Sequence, residues 1–162
     1  HISAYALTVE PKTALEKYIQ KEIILPIDEE FVYDQFNLMC DKLLDLNYIN
    51  YELSSFAKKG YFSKNNSGYW LGKKYVGIGP SSHSFDGFSR SWNVSNNKLY
   101  VSDIQNNKMY HQKEKLTHVD QYNEYIMTGL RTMWGISLIN LQEKFGKKIQ
   151  NHFVKKLSLI HI

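Results

Sequence analysis

Lys74-Tyr75-Val76-Gly77-Ile78-Gly79-Pro80-Ser81-Ser82-His83-Ser84-Phe85 is the most informative stretch of the chain. A short apolar strand runs into Gly77-Ile78-Gly79, where missing side chains let the backbone approach a ligand closely. The hydroxyls and imidazole that follow supply donors, acceptors or a metal ligand. This is not the dinucleotide-binding fingerprint, because the third glycine is absent and no apolar-periodic helix follows. Nor do Ser82 and His83 make a hydrolase triad, since the Gly-x-Ser-x-Gly elbow is missing. A lone loop histidine is usually structural, so His83 has to be weighed with its neighbours.

Just upstream, the polar loop Ser63-Lys64-Asn65-Asn66-Ser67-Gly68 leads into Tyr69-Trp70-Leu71-Gly72. Aromatic rings beside such a loop offer a platform for a flat ligand, or simply anchor the loop on the core. Further back, Tyr48 to Phe56 alternates Ile49, Tyr51 and Leu53 with Asn50, Glu52 and Ser54, which predicts a strand. Before it comes a helix: Asp28 is the cap, Glu29 and Glu30 suit the positive end of the dipole, and Val32, Phe36, Met39, Leu43 and Leu46 form an apolar stripe. A polar stretch to Pro26 separates this helix from His1-Ile2-Ser3-Ala4-Tyr5-Ala6-Leu7-Thr8-Val9, read as a parallel strand covered on both faces. Strand, helix, strand is a βαβ rhythm.

Downstream, Arg90 to Val94 and Leu99 to Val101 read as a hairpin or a short strand pair around Ser95-Asn96-Asn97-Lys98. Tyr122, Tyr125, Ile126, Gly129, Leu130 and Met133 follow helical spacing, with Gly135 as the stop. Ser137 caps a second helix, Leu138 to Phe145, which Gly146 ends, and a third runs from about Lys148 to Leu159. Three short helices in this order resemble the helical part of a winged-helix module.

Composition sets the outer limits. The 162 residues are 43% apolar and 22% charged, enough for one or two small domains with a real core. No stretch approaches the roughly 18 consecutive apolar residues of a membrane span. A net charge of +4 points only weakly to a nucleic-acid or membrane partner, and Lys147, Lys148, Lys155 and Lys156 are read as a solvated face. The one cysteine, Cys40, excludes an internal disulfide and any all-cysteine metal or cluster site built from this chain alone, and it is read as a small buried hydrophobe. A reducing, cytoplasmic setting is expected. Because the chain does not begin at Met and opens on a strand already under way, it is expected to be a fragment.

His1 to Pro11, Tyr51-Glu52-Leu53-Ser54-Ser55-Phe56-Ala57, Asn66-Ser67-Gly68-Tyr69-Trp70, Gly77 to Phe85, and Gly129-Leu130-Arg131-Thr132 with Gly135-Ile136 occur here in a characteristic order and spacing. In these motifs the chain resembles HemW, the family of radical S-adenosylmethionine haem chaperones related to oxygen-independent coproporphyrinogen III oxidase (HemN). The resemblance runs from the first residue to about Phe145. It implies an α/β fold, in which residues 1–100 are the end of a partial (β/α) radical SAM barrel with a sheet extension. Residues 101–162 would be a HemN-type, winged-helix-like C-terminal helical domain.

The resemblance also implies cofactors, partners and site residues. A 4Fe–4S cluster and S-adenosylmethionine would belong to the full-length protein. No catalytic residue or cluster ligand is expected in this chain, which lacks the Cys-x-x-x-Cys-x-x-Cys loop and alone would perform no radical chemistry. Leu7, Thr8, Gly79, Ser82 and His83 would border the S-adenosylmethionine cleft. Asn66, Tyr69 and Trp70 match a haem-associated His-Asn-x-x-Tyr-Trp motif in which the histidine is replaced here by Asn65. His83 becomes a candidate to ligate haem iron or to hydrogen-bond a propionate, and Arg90 and Arg131, the only arginines, are candidates to pair with propionates. The implied function is haem binding and delivery to acceptor proteins, the alternative being oxidative decarboxylation of coproporphyrinogen III. The expected partners are haem or porphyrin and haem-acceptor proteins, with no nucleic acid and no membrane span, and with peripheral membrane contact left open.

Overall fold

In the computed structural model, which describes residues 1–108 and 112–157, the segment expected as one strand from Tyr48 to Phe56 folds back on itself at Leu53-Ser54. It forms β2 (Ile49–Glu52) and β3 (Ser55–Ala57), and a bulge between Asn50 and Glu52 shifts their register. Asn50 clamps that bulge, its Nδ2 donating to the carbonyls of Glu52 (2.8 Å) and Ser55 (3.3 Å). β1 (Ile2–Ser3) lies antiparallel to β3 on its other edge, so the order is β1-β3-β2 and β1 runs parallel to β2. The βαβ rhythm is therefore present in split form, with β3 slotted between the parallel pair.

The first strand needs correction. After Ala4 N donates to Ser54 O (2.8 Å) the ladder stops, and Leu7 is 64% exposed. The short β2–β3 hairpin offers only a brief antiparallel edge, and among the described residues no strand flanks Tyr5 to Val9. This segment is thus not a parallel strand covered on both faces. The polar stretch before Pro26 also contains an unforeseen helix, α1 (Ala14–Gln20). Its signal was present: Thr13 Oγ1 accepts from Glu16 N, while Glu16 Oε2 accepts from Lys12 N.

α2 (Glu29–Asp45) starts where expected, with the Asp28 carboxylate accepting from Glu30 N and Phe31 N. Of its apolar stripe Leu43 is buried, Val32 and Met39 are half-buried, and Phe36 and Leu46 are exposed. Cys40 is half-buried beside them, and desolvation, then the neighbouring Asp41, raises its thiol above the ordinary range. The core of this unit, His1–Ser63, is Leu43, Tyr51, Phe56 and Ala57. Tyr51 stacks on Phe62 at 4.8 Å and its hydroxyl is hydrogen-bonded to His1 Nε2 at 2.8 Å.

The second unit begins at Lys64. Its sheet is antiparallel throughout, in the order β4 (His83–Phe85), β5 (Ser89–Trp92), β6 (Gln112–Lys115). Three expectations fail here. The Asn/Ser/Gly segment is no loop but most of α3 (Lys64–Trp70), where tertiary packing overrides weak helix propensity. The strand before Gly77 shrinks to one bridge, Tyr75 to Phe85, with Val76 81% and Ile78 87% exposed. Leu99 to Val101 is helical, within α4 (Asn97–Gln105), because the Asn96 side chain caps Leu99 N and turns the chain. The partners of β5 are consequently β4 and β6.

The β4–β5 turn is held by Asp86, whose Oδ1 accepts from Phe88 N (2.9 Å) and Ser89 N (2.6 Å). Those two amides, helped by Lys113, lower its carboxyl from 3.8 to about 2. A depressed folded-state pKa adds stability that is present above about 3.8 and is lost as pH falls through about 2. Asp86→Asn should therefore show a smaller drop in urea midpoint between those two pH values than the parent. Equal drops would remove Asp86 from the acid response.

The last three helices are present in the expected order, but the first ends at Leu130, so Met133 and the expected stop Gly135 lie in the turn beyond it. α5 (His118–Leu130) opens with a capping box between Thr117 and Asp120, and it ends before Gly135, which takes φ +65° in the following turn. α6 (Leu138–Phe145) has Ser137 as cap and Gly146, at φ +86°, as stop. α7 (Lys147–Leu157) packs on it around Leu141 and Phe153, both buried, and its expected end at Leu159 lies outside the described residues. No helix among the described residues is long and apolar enough to cross a membrane.

Candidate functional site

The second unit encloses a cleft of about 590 Å³, within the size range of small-molecule sites. α3 supplies Tyr69 and Trp70, the β4–β5 segment supplies Phe85, Phe88 and Arg90, and α5 and α6 supply Glu124, Tyr125, Thr128 and Phe145. Tyr69 meets Trp70 edge-on at 4.8 Å and Tyr75 at 5.3 Å, and Tyr75 continues to Phe85 at 6.1 Å. Phe145, also in the lining, is ringed by His118, Tyr122 and Tyr125 at 5.3, 5.7 and 5.8 Å, and of these three Tyr125 lines the cleft. Such walls suit a flat apolar body.

Charge is concentrated at particular points. Arg90 forms an ion pair with Glu124, both side chains half-buried. Arg131 lies over the Trp70 ring at 4.3 Å, and Lys144 lies over Tyr125 at 5.0 Å. Trp70 Nε1 is buried without a hydrogen-bond partner among the described residues. Desolvation, followed by the adjacent Tyr69, pushes the Tyr75 hydroxyl above its ordinary range.

Of the site residues read from the sequence, those of the second unit do not all line the cleft. Tyr69 and Trp70 wall the cleft, and Arg90, singled out for propionates, lines it. Asn66, one turn before Tyr69 on α3, lies outside the lining. His83 is exposed at the start of β4 and stacks on its cross-strand neighbour Trp92 at 5.7 Å. By strand alternation His83 and Phe85 share a sheet face, so the imidazole lies one step along the face from the cleft. Gly79 and Ser82 are engaged internally: Asn93 Nδ2 donates to Gly79 O (3.0 Å) and Ser82 Oγ (3.1 Å), while Gly79 N donates to the Tyr100 hydroxyl (3.0 Å). Leu7 and Thr8 are exposed and belong to the first unit, whereas Gly79, Ser82 and His83 belong to the second. Sequence reasoning missed Tyr75, Glu124 and Phe145 as cleft residues.

A 4Fe–4S cluster does not fit these residues. Cys40 is the only thiol, and the described residues contain no group of three or more His, Cys, Asp or Glu able to hold a metal.

Residues 116–161, which take in α5 to α7, match the HemN C-terminal domain family. The heme chaperone HemW of Bacillus subtilis (strain 168) is 33% identical over 155 residues, covering 94% of this chain. The chain belongs with the HemW/HemN-like radical SAM proteins. The mitochondrial radical S-adenosyl methionine domain-containing protein 1 of Danio rerio is 28% identical over 91% of the chain. The solved structure of coproporphyrinogen III oxidase (HemN) from Escherichia coli, a radical SAM enzyme, superposes with a TM-score of 0.64 over 83% of the chain at 14% identity, a likeness of fold. The HemW/HemN-like chain spans 41%, 37% and 34% of the lengths of these three proteins, respectively.

Proposed function

We propose that this HemW/HemN-like chain binds haem and takes part in delivering it to acceptor proteins in the cytoplasm, as part of a radical SAM haem chaperone. Residues 1–100 would be the end of the barrel with its sheet extension, and residues 101–162 the C-terminal helical domain. The observation that carries the reading is the position of Tyr69 and Trp70, which end the helical Asn66-x-x-Tyr69-Trp70 segment and wall an aromatic cleft that Arg90 also lines. Stacking on rigid rings holds a flat macrocycle at little entropic cost. His83, exposed on the same sheet face as Phe85, is the proposed iron ligand, and Leu7, Thr8, Gly79 and Ser82 are proposed contacts of S-adenosylmethionine. The cluster and S-adenosylmethionine enter this reading through the family alone.

A haem titration followed by absorption spectroscopy tests it. The folded protein should give a saturable Soret shift, weakened about tenfold or more in Trp70→Ala. Loss of the shifted Soret position in His83→Ala would identify the axial ligand, and an unchanged spectrum would remove His83 from that role. Absence of saturable binding, with a circular dichroism spectrum showing a folded sample, overturns the haem reading.

A further inference from the structure

We infer that the cleft of the second unit selects a flat ring system carrying a carboxylate, and that Arg90 takes this carboxylate in place of Glu124. The inference deepens the haem-binding reading and rests on it only for the physiological ligand.

The charged residues of the lining are Arg90, Lys144 and Glu124, two cations and one anion. Lys144 is placed over the Tyr125 ring, so Arg90 is the cation on the sheet side of the cleft. Its guanidinium reaches Glu124 through one contact, Nη2 to Oε1. A guanidinium has five donors in a planar fork and binds a free carboxylate through two parallel hydrogen bonds. Exchanging Glu124 for a ligand carboxylate would turn a one-point contact into a two-point one, in a half-buried setting where charged hydrogen bonds are strong. Glu124 acts as an internal stand-in for that carboxylate.

The rings set the shape of what can enter. Arg131 covers one face of Trp70, leaving the other surfaces of the Tyr69, Trp70, Tyr75 and Phe85 group to pack against the ligand. On β5, Arg90 pairs across the strands with Phe85, so its guanidinium sits at the border of that aromatic wall. A ring body against the wall and an anionic arm on Arg90 satisfy both features together.

Equilibrium dialysis of the 162-residue protein with pyrene-1-carboxylate and with pyrene-1-carboxamide isolates the carboxylate. The acid should bind about tenfold more tightly than the amide. Arg90→Gln should shrink that preference to within about threefold, Arg90→Lys should leave an intermediate value because it keeps charge without the fork, and Glu124→Gln should widen the preference for the acid over the amide. Circular dichroism confirms that each variant is folded. Equal binding of acid and amide, a preference that survives in both Arg90 variants, or a preference that does not widen in Glu124→Gln overturns the inference. Haem and its dimethyl ester, titrated in parallel, separate the two readings. If they bind alike, the haem reading stands and the exchange falls. If pyrene-1-carboxylate behaves as expected while haem never saturates, the exchange stands and the haem reading falls.

Discussion

Phe56→Ala should destabilise the first unit by about 3–5 kcal/mol, the usual cost of emptying a buried phenylalanine site. Phe56 is 1% exposed and lies on the central strand, paired with Ile2 of β1 on one side and Asn50 of β2 on the other. Its buried apolar companions are only Leu43, Tyr51 and Ala57. Where in that range the cost falls depends on how far the neighbouring side chains collapse into the vacated space. Loss of the β1 edge should follow, because Ile2 has Phe56 as its ladder partner. Urea unfolding followed by far-UV circular dichroism checks this, and a midpoint within error of the parent would show that Phe56 does not hold the sheet.

Gly77→Ala should cost about 1–3 kcal/mol, the range for forcing extra volume into a filled space. A Cβ on Gly77 would lie 2.1 Å from His83 O, 2.7 Å from His83 C and 2.8 Å from His83 N. All three are backbone atoms, so no rotamer change relieves the clash. The loop is also tied there by Gly77 N donating to Ser84 Oγ at 2.9 Å. Movement of β4 away from Gly77 would disturb its pairing with β5 and the stacking of His83 on Trp92. At roughly 2–4 °C per kcal/mol for a chain of this size, the melting temperature should fall by several degrees. An unchanged melting temperature would mean that the close approach is absent in solution. Gly79 is glycine for a different reason, since its φ of +109° is one that side-chain-bearing residues rarely adopt.

Local chemistry made much of this fold legible. Asp28, Ser137 and Gly146 mark helix ends because capping acts within three or four residues, and all three act as read. The same local logic, applied to Thr13-x-x-Glu16 and Asn96, would have found α1 and α4. It was overridden by the polar look of one segment and the β-forming look of Leu99-Tyr100-Val101. α3 was harder, because Asn65, Asn66, Ser67 and Gly68 favour loops and only the packing of Tyr69 and Trp70 draws them into a helix. Strand direction at His1 to Val9 depends on distant partners, which apolar run length does not encode. The candidate site was half legible. Tyr69, Trp70 and Arg90 stood out by type, but Glu124, Tyr75 and Phe145 reach the cleft only through the packing of helices against the sheet. Nothing in the spacing separates His83 from Trp70, although the structure gives them different surroundings.

The positions of the three tryptophans have a practical consequence. Trp70, Trp92 and Trp134 all lie in the second unit, so indole emission reports that unit's unfolding while the first unit is silent. Trp70 and Trp134 border the cleft, whereas Trp92 stacks on His83. Proteins retaining a single indole would therefore tell a guest lodged in the cleft from one bound at the exposed imidazole: quenching of Trp70 and Trp134 would mark the first, and quenching of Trp92 the second.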